Sequence, residues 1–205
     1  QAWMTEEGVD LAVIVIPSKG VLDALEECGK KGVGTVIVIS AGFRETGHEG
    51  LLAERKMTEI ARKYGMRIIG PNCLGVIDTV VPMNASFATG MPRKGAIAFM
   101  SQSGALCTSI LDIALERQIG FSRFVSLGNK ADMNELDFIE AWAEDHESKV
   151  IMAYLEGIAN GARFIESTRV ITKEKPVIAI KSGTTSAGAK AVSSHTGTLA
   201  GSERA

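Results

Sequence analysis

The chain has 205 residues, 45% of them hydrophobic, which is enough to bury a core in one or two domains. Its 22 Lys and Arg against 24 Asp and Glu leave a formal net charge of -2, which argues against the clustered basic surface that nucleic-acid binding requires. No apolar run is long enough to span a bilayer, and the three cysteines (Cys28, Cys73, Cys107) are odd in number and lack metal-type spacing, so the expectation is a reducing, cytoplasmic setting with no signal peptide, no membrane contact and no metal ligands.

Apolar strand-like runs alternate with helical stretches along the chain. Asp10 to Ile16 is a nearly continuous apolar run, as expected of a strand covered on both faces. Lys19 to Lys31 has helical periodicity (Val21, Leu22, Leu25, Cys28) and ends at Gly32. Thr35 to Ile39 is a second strand, left through the turn Ser40-Ala41-Gly42-Phe43. Glu49 to Tyr64 is a long amphipathic helix closed by Gly65, and Met66 to Ile69 a third strand stopped by Gly70-Pro71. From about Asn72 to Lys94 the chain is rich in Pro, Asn and Gly and is expected to be irregular, the connection between two domains.

The pattern then restarts. Strands are predicted over Ala96 to Met100, Phe121 to Leu127, Lys149 to Leu155 and Val177 to Ile180. Helices are predicted over Gly104 to Gln118, Glu135 to Asp145 and Gly161 to Ile171. Repeated βα units with Val/Ile-rich strands predict an α/β fold of two tandem doubly wound parallel-sheet domains, residues 1–92 and 93–205. The chain opens on Gln1, close to a buried-type strand, and stops at Ala205 as a helix begins, so both domains are expected to be truncated pieces of a longer polypeptide.

Ligands of doubly wound sheets bind beyond the C-terminal ends of the strands. There Ser101-Gln102-Ser103-Gly104 opens a helix, and small residues at a helix N-terminus leave backbone N–H groups for a phosphate. An ordinary Ser cap is the plain alternative. Glu156, next to Gly157, ends another strand and can hold an imidazole in one tautomer, although a solvated loop carboxylate is equally common there. Asn129 and Asp132, in Gly128-Asn129-Lys130-Ala131-Asp132, are weaker candidates for the same cleft. His195 lies in Ser194-His195-Thr196-Gly197-Thr198, where small neighbours leave room for a phosphate to approach the ring. His48 and His146 sit among polar residues and are assigned to the surface. In the first half, Gly70-Pro71-Asn72-Cys73-Leu74-Gly75 allows close backbone approach to a ligand, and no local base activates Cys73.

Four of these motifs together carry a resemblance: Gly70-Pro71-Asn72-Cys73-Leu74-Gly75, Ser101-Gln102-Ser103-Gly104-Ala105-Leu106, Tyr154-Leu155-Glu156-Gly157, and Ser194-His195-Thr196-Gly197-Thr198-Leu199-Ala200-Gly201. In this order they resemble the nucleoside-diphosphate-forming acyl-CoA synthetases, the superfamily of succinyl-CoA synthetase, and most closely the α region of ADP-forming acetate-CoA ligase. The resemblance implies a CoA-binding Rossmann-like domain over 1–92 and a flavodoxin-like ligase domain over 93–205. It implies a phosphohistidine at His195, held by Glu156 and faced by Ser101, Gln102, Ser103 and Gly104. It also implies CoA-facing loops at Ser40, Ala41, Gly42 and Phe43 and at Pro71, Asn72 and Cys73.

CoA is then a substrate, while ATP or ADP and Mg²⁺ are bound mainly by an ATP-grasp subunit or fused region outside this chain, in a hetero- or homo-oligomer. Three other readings stay open. One is a succinyl-CoA synthetase α-type subunit. A second is a non-catalytic acyl-CoA-sensing module, which has no need of both His195 and Glu156. The third is an NAD(P)-binding Rossmann protein, for which no Gly-x-Gly-x-x-Gly follows a strand.

Overall fold

The computed structural model describes residues 8–183; His195 and its motif lie outside the described residues. The first part is a three-stranded parallel sheet, β1 (Leu11–Ile14), β2 (Thr35–Val38) and β3 (Arg67–Ile69), in the order β1-β2-β3. Helices α1 (Val21–Lys30) and α2 (His48–Tyr64) make the crossovers. Helix α1 buries Val21, Leu25 and Gly29, spaced four apart and therefore on one face. Helix α2 buries Gly50, Glu54, Met57 and Ala61 and stops at Gly65, whose left-handed backbone (φ +68°) returns its N–H to the carbonyls of Ala61 and Arg62.

The apolar continuity of β2 has a direct cause. Val36 and Val38 face the core beneath α1 and α2 with Leu25, Met57 and Ile68, while Ile37 points the other way into a second core. Both faces of the strand are thus covered, so alternation with polar residues disappears.

The second sheet has six strands in the order β5-β4-β7-β6-β8-β9. Strands β6 (Lys94–Ser101), β7 (Phe121–Ser126), β8 (Val150–Leu155) and β9 (Val177–Lys181) are parallel. They alternate with α3 (Gly104–Glu116), α4 (Glu135–Glu144) and α5 (Gly161–Ile171). Residues of β6 again divide between two cores. Phe99 joins Phe121, Phe124 and Cys107 on the α3 side; Ala98 and Met100 join Ile139, Trp142 and Phe164 on the side of α4 and α5. This is the predicted doubly wound arrangement.

The stretch expected to be irregular is ordered instead. It contains a hairpin of β4 (Gly75–Asp78) and β5 (Met83–Ser86), and β4 pairs antiparallel with β7, so the second sheet is mixed rather than wholly parallel. The turn is built by Asp78, whose carboxylate accepts the N–H groups of Val80 and Val81 at 2.8 and 2.9 Å. Among the described residues no helix is long and apolar enough to cross a membrane.

Candidate functional site

The C-terminal ends of β6, β7 and β8 are level, with Ser101 opposite both Ser126 and Tyr154. The residues that follow them therefore meet at one edge of the sheet. Ser101 folds the exit of β6: its hydroxyl accepts the Ser103 N–H at 3.0 Å and donates to the Ser103 carbonyl at 2.9 Å. Ser103 caps α3, its Oγ accepting the Leu106 N–H at 3.2 Å. That leaves the N–H groups of Gly104 and Ala105, which a helix cannot satisfy internally, at the opening of the helix.

Gln102 reaches across to β8. Its Oε1 accepts the N–H groups of Glu156 and Gly157 at 2.8 and 2.9 Å, and its Nε2 donates to the Gly157 carbonyl at 2.7 Å. The two candidate motifs, Ser101 to Gly104 and Glu156-Gly157, are thus bonded to each other. Glu156 is buried. The side chains of Ser101, Gln102 and Ser103 are occupied in shaping this edge, so the part of the motif open toward a ligand is its backbone at the start of α3.

The first sheet delivers its own strand ends to the same place. After β3 the chain turns through Gly70-Pro71, joined by a cis peptide bond. Asn72 N–H donates to the Ser40 carbonyl at 3.0 Å, and Asn129 N–H donates to the Pro71 carbonyl at 2.8 Å. Gly128 fits against this turn because a Cβ there would lie 2.2 Å from the Pro71 oxygen, and its φ of +56° disfavours any other residue. Between these segments is a cleft of about 380 Å³ lined by Ala41, Asn72 and Cys73 from one side and by Gln102, Gly104 and Asn129 from the other.

Not all the expected CoA-facing residues line it. The Phe43 side chain is fully buried in the core beneath α1 and α2, because the N–H groups of Gly42 and Phe43 both donate to Glu45 Oε1 (2.6 and 3.1 Å) and turn the ring inward. Ser40 uses its hydroxyl to grip the backbone of Ile16, accepting its N–H and donating to its carbonyl. Pro71 is buried and contributes its carbonyl to Asn129. Burial pushes the Cys73 thiol up to about 12, consistent with a wall residue rather than a nucleophile. Asp132 accepts from the Ile68 N–H and Arg67 Nε, which ties β3 to the loop after β7 rather than lining the cleft. His48 and His146 are exposed.

Behind the cleft is a polar network only partly anticipated by the sequence. Asn129, 3% exposed, donates from Nδ2 to Glu45 Oε2 at 2.6 Å and to Glu54 Oε2 at 2.9 Å, and accepts from Asn72 Nδ2 at 3.3 Å. Arg44 pairs with Glu54 at 3.5 Å and donates to the Asn129 carbonyl. Burial raises the pKa of Glu54 despite these partners. Burial also pushes Glu45 up, but the hydrogen bonds from Asn129 and from the N–H groups of Gly42 and Phe43 outweigh it, and its carboxyl lies below the usual range. The next residue, Lys130, pairs with the fully buried Glu135 at 2.7 Å. Arg44, Glu45, Lys130 and Glu135 were not singled out; a Lys directly after a strand-end Gly-Asn is the one local sign of them.

Comparison with known proteins gives these motifs a context. Residues 94–205 match the family described as succinyl-CoA ligase like flavodoxin domain, and residues 2–79 match a CoA binding domain. The α subunit of acetate–CoA ligase [ADP-forming] II of Pyrococcus furiosus is 53% identical over 194 residues, which are 95% of this chain and 42% of that protein. Acetate–CoA ligase [ADP-forming] I of Archaeoglobus fulgidus is 50% identical over 97% of this chain and 29% of its own length.

A solved structure of the dinucleotide forming acetyl-coenzyme A synthetase 1 of Ca. Korarchaeum cryptofilum, in complex with phosphate and ADP, superimposes with a TM-score of 0.91 at 41% identity, covering 96% of this chain and 42% of that one. The chain thus spans less than half the length of each of these relatives. With more than half of its residues matched by the first of the two domains, it belongs to the succinyl-CoA ligase-like family, carrying that domain behind a CoA-binding one.

Proposed function

We propose that this chain is the CoA-binding and phosphohistidine-bearing part of an ADP-forming acyl-CoA ligase of the acetate–CoA ligase type. One observation carries the reading: Ala41, Asn72 and Cys73, from the CoA-binding half, line a single cleft with Gln102 and Gly104 of the ligase half, and Gln102 is bonded directly to Glu156-Gly157. A thioester held on the first side would present its acyl end to the start of α3. In this reading residues 1–92 form the CoA-binding unit and 93–205 the ligase unit, the β4–β5 hairpin of the first completing the sheet of the second.

The chemistry proceeds in three transfers. A phosphate oxygen bonds to the acyl carbon as the C–S bond breaks, CoA leaving as a thiolate that takes up a proton. A ring nitrogen of His195 then bonds to phosphorus as the P–O bond to the acyl group breaks, releasing the carboxylate. Finally an oxygen of ADP takes the phosphoryl group and the N–P bond breaks. Glu156 accepts from the other ring nitrogen and favours the imidazolium character of the intermediate. The N–H groups at the start of α3 face the phosphoryl oxygens, and the helix dipole adds to their effect.

ADP or ATP and Mg²⁺ are supplied by an ATP-grasp partner, fused or separate, in a cytoplasmic assembly. The test uses the whole ligase with its nucleotide-binding part, γ-labelled ATP and Mg²⁺. Acid-labile, alkali-stable label is expected on this chain and is lost in His195→Ala; label that persists in that variant overturns the proposal.

A further inference from the structure

We propose that Lys130 and Glu135 are positioning residues that fix the Glu156 turn from below, an inference that rests on the reading of Glu156 as the carboxylate partner of His195. The turn between β8 and α5 is held by four side chains from other elements, Gln102, Lys130, Glu135 and Lys181. Gln102 takes the N–H groups of Glu156 and Gly157 and donates to the Gly157 carbonyl. Lys130 Nζ donates to that same carbonyl at 2.7 Å, so both lone pairs of the Gly157 oxygen are used. Glu135 Oε1 accepts the Ala159 N–H at 2.6 Å while its Oε2 holds Lys130 Nζ at 2.7 Å. Backbone groups on either side of Ile158 are thus fixed by one ion pair, delivered by the loop after β7 and the first turn of α4.

Stability alone is a poor reason for this pair. The Glu135 side chain is 0% exposed and that of Lys130 11%, so both charges have lost most of their hydration, and such a pair seldom outperforms apolar packing of the same volume. Lys130 also has a left-handed backbone (φ +56°), a conformation costly for a side chain of its kind and commonest where geometry serves a function. Both costs are explained if the pair sets the position of a reacting group's neighbour.

The charge has a second consequence. Burial depresses the Lys130 ammonium, and its electrostatic environment comprises Glu135 and Glu156 on the acidic side and Arg44 on the basic side. The cation therefore lies within electrostatic reach of Glu156, whose carboxylate is the form that accepts from an imidazole. Lys181 reaches the same residue from β9, but at its carbonyl, 3.0 Å away.

The experiment measures the rate of phosphoryl labelling of the whole ligase by γ-labelled ATP across a pH series, for wild type, Lys130→Met, Lys130→Arg and Glu135→Gln. Lys130→Met is expected to slow labelling roughly 10- to 100-fold, as a small misplacement of a reacting partner does. Its acid limb moves to higher pH because the site loses a cation, while its affinity for CoA is retained. Lys130→Arg returns the acid limb to the wild-type position. Glu135→Gln slows labelling without moving that limb upward.

Wild-type rates in Lys130→Met and Glu135→Gln overturn the inference. So does a slow Lys130→Met whose acid limb stays in place and whose CoA affinity falls in step, since that is the signature of general destabilisation. Should Lys130→Met fail to fold, Glu135→Gln decides, and a wild-type rate there is the overturning result. A wild type that takes no label brings down the phosphohistidine reading and this inference with it, whereas label indifferent to the variants brings down the inference alone.

Discussion

Asn129 joins the two halves of the site through one amide, and its removal has a calculable sign. Its Nδ2 serves Glu45 and Glu54 together, and no hydrocarbon of the same size can do so. In Asn129→Leu both carboxyls lose a donor, so both folded-state pKa values rise relative to wild type. A folded state that binds protons more tightly than the unfolded one loses stability as pH rises through that window. The destabilisation is therefore largest at neutral pH, about 2–3 kcal/mol, and shrinks as pH falls through the carboxyl range. Urea unfolding of wild type and variant at pH 4.5 and 7.5 checks this; equal losses at the two values contradict it.

The cysteines give a second prediction at this scale. Burial holds the Cys73 and Cys107 thiols at about 12, so in the native state a thiol reagent at pH 8 should leave both unmodified until the protein unfolds. Rapid native labelling of Cys73 contradicts its position in the wall. At this scale the sequence was legible where function concentrates in a local motif. The Ser101 to Gly104 turn and Glu156 announce themselves by lying at strand ends. Lys130 and Glu135 do not, because Gly157 and Ala159, which give them meaning, are 27 and 24 residues away.

The elements divide in the same way. Helices α1 and α2 and the buried strands were readable because each carries its own periodicity, and each strand's two faces are settled by the cores on either side. The β4–β5 hairpin was not. Its strands have four residues each, too few for alternation to register, and its place is settled by pairing with β7, more than 40 residues on. What holds it locally is Asp78, which builds the turn and pairs with Arg123 of β7 at 2.9 Å. Asp78→Ala removes the turn acceptors and leaves Arg123, 22% exposed, with Asp145 at 3.6 Å as its remaining carboxylate. A loss of about 1–2 kcal/mol is expected in chemical denaturation, and because the hairpin covers one edge of the sheet, the β4 amides should exchange faster than those of β6. Unchanged exchange in β4 contradicts the role given to this turn.

Across the whole molecule, the arrangement turns on two sheets whose C-terminal edges face each other. One core runs from Ile37 and Ile69 of the first sheet through Cys73 to Met100, Val125 and Leu155 of the second, so the halves share a hydrophobic interior as well as a cleft. Backbone bonds from Asn129 to Pro71, Ala131 to Gly70 and Met133 to Ile68 run along the same seam. A ligand bound in the cleft therefore stabilises both halves at once, even if its contacts are concentrated in one. If CoA occupies this cleft, saturation at about 100 times its Kd adds about 2.7 kcal/mol, which slows exchange through global opening by roughly 100-fold. In hydrogen exchange of the full-length ligase that slowing should appear equally at the slowest amides of β2 and at those of β6 and β8. Protection confined to β1, β2 and β3 would show that the halves open separately and that the shared core does not couple them. Equal protection, lost together in Gly128→Ala, where the added methyl would meet the Pro71 oxygen, places the coupling at this seam.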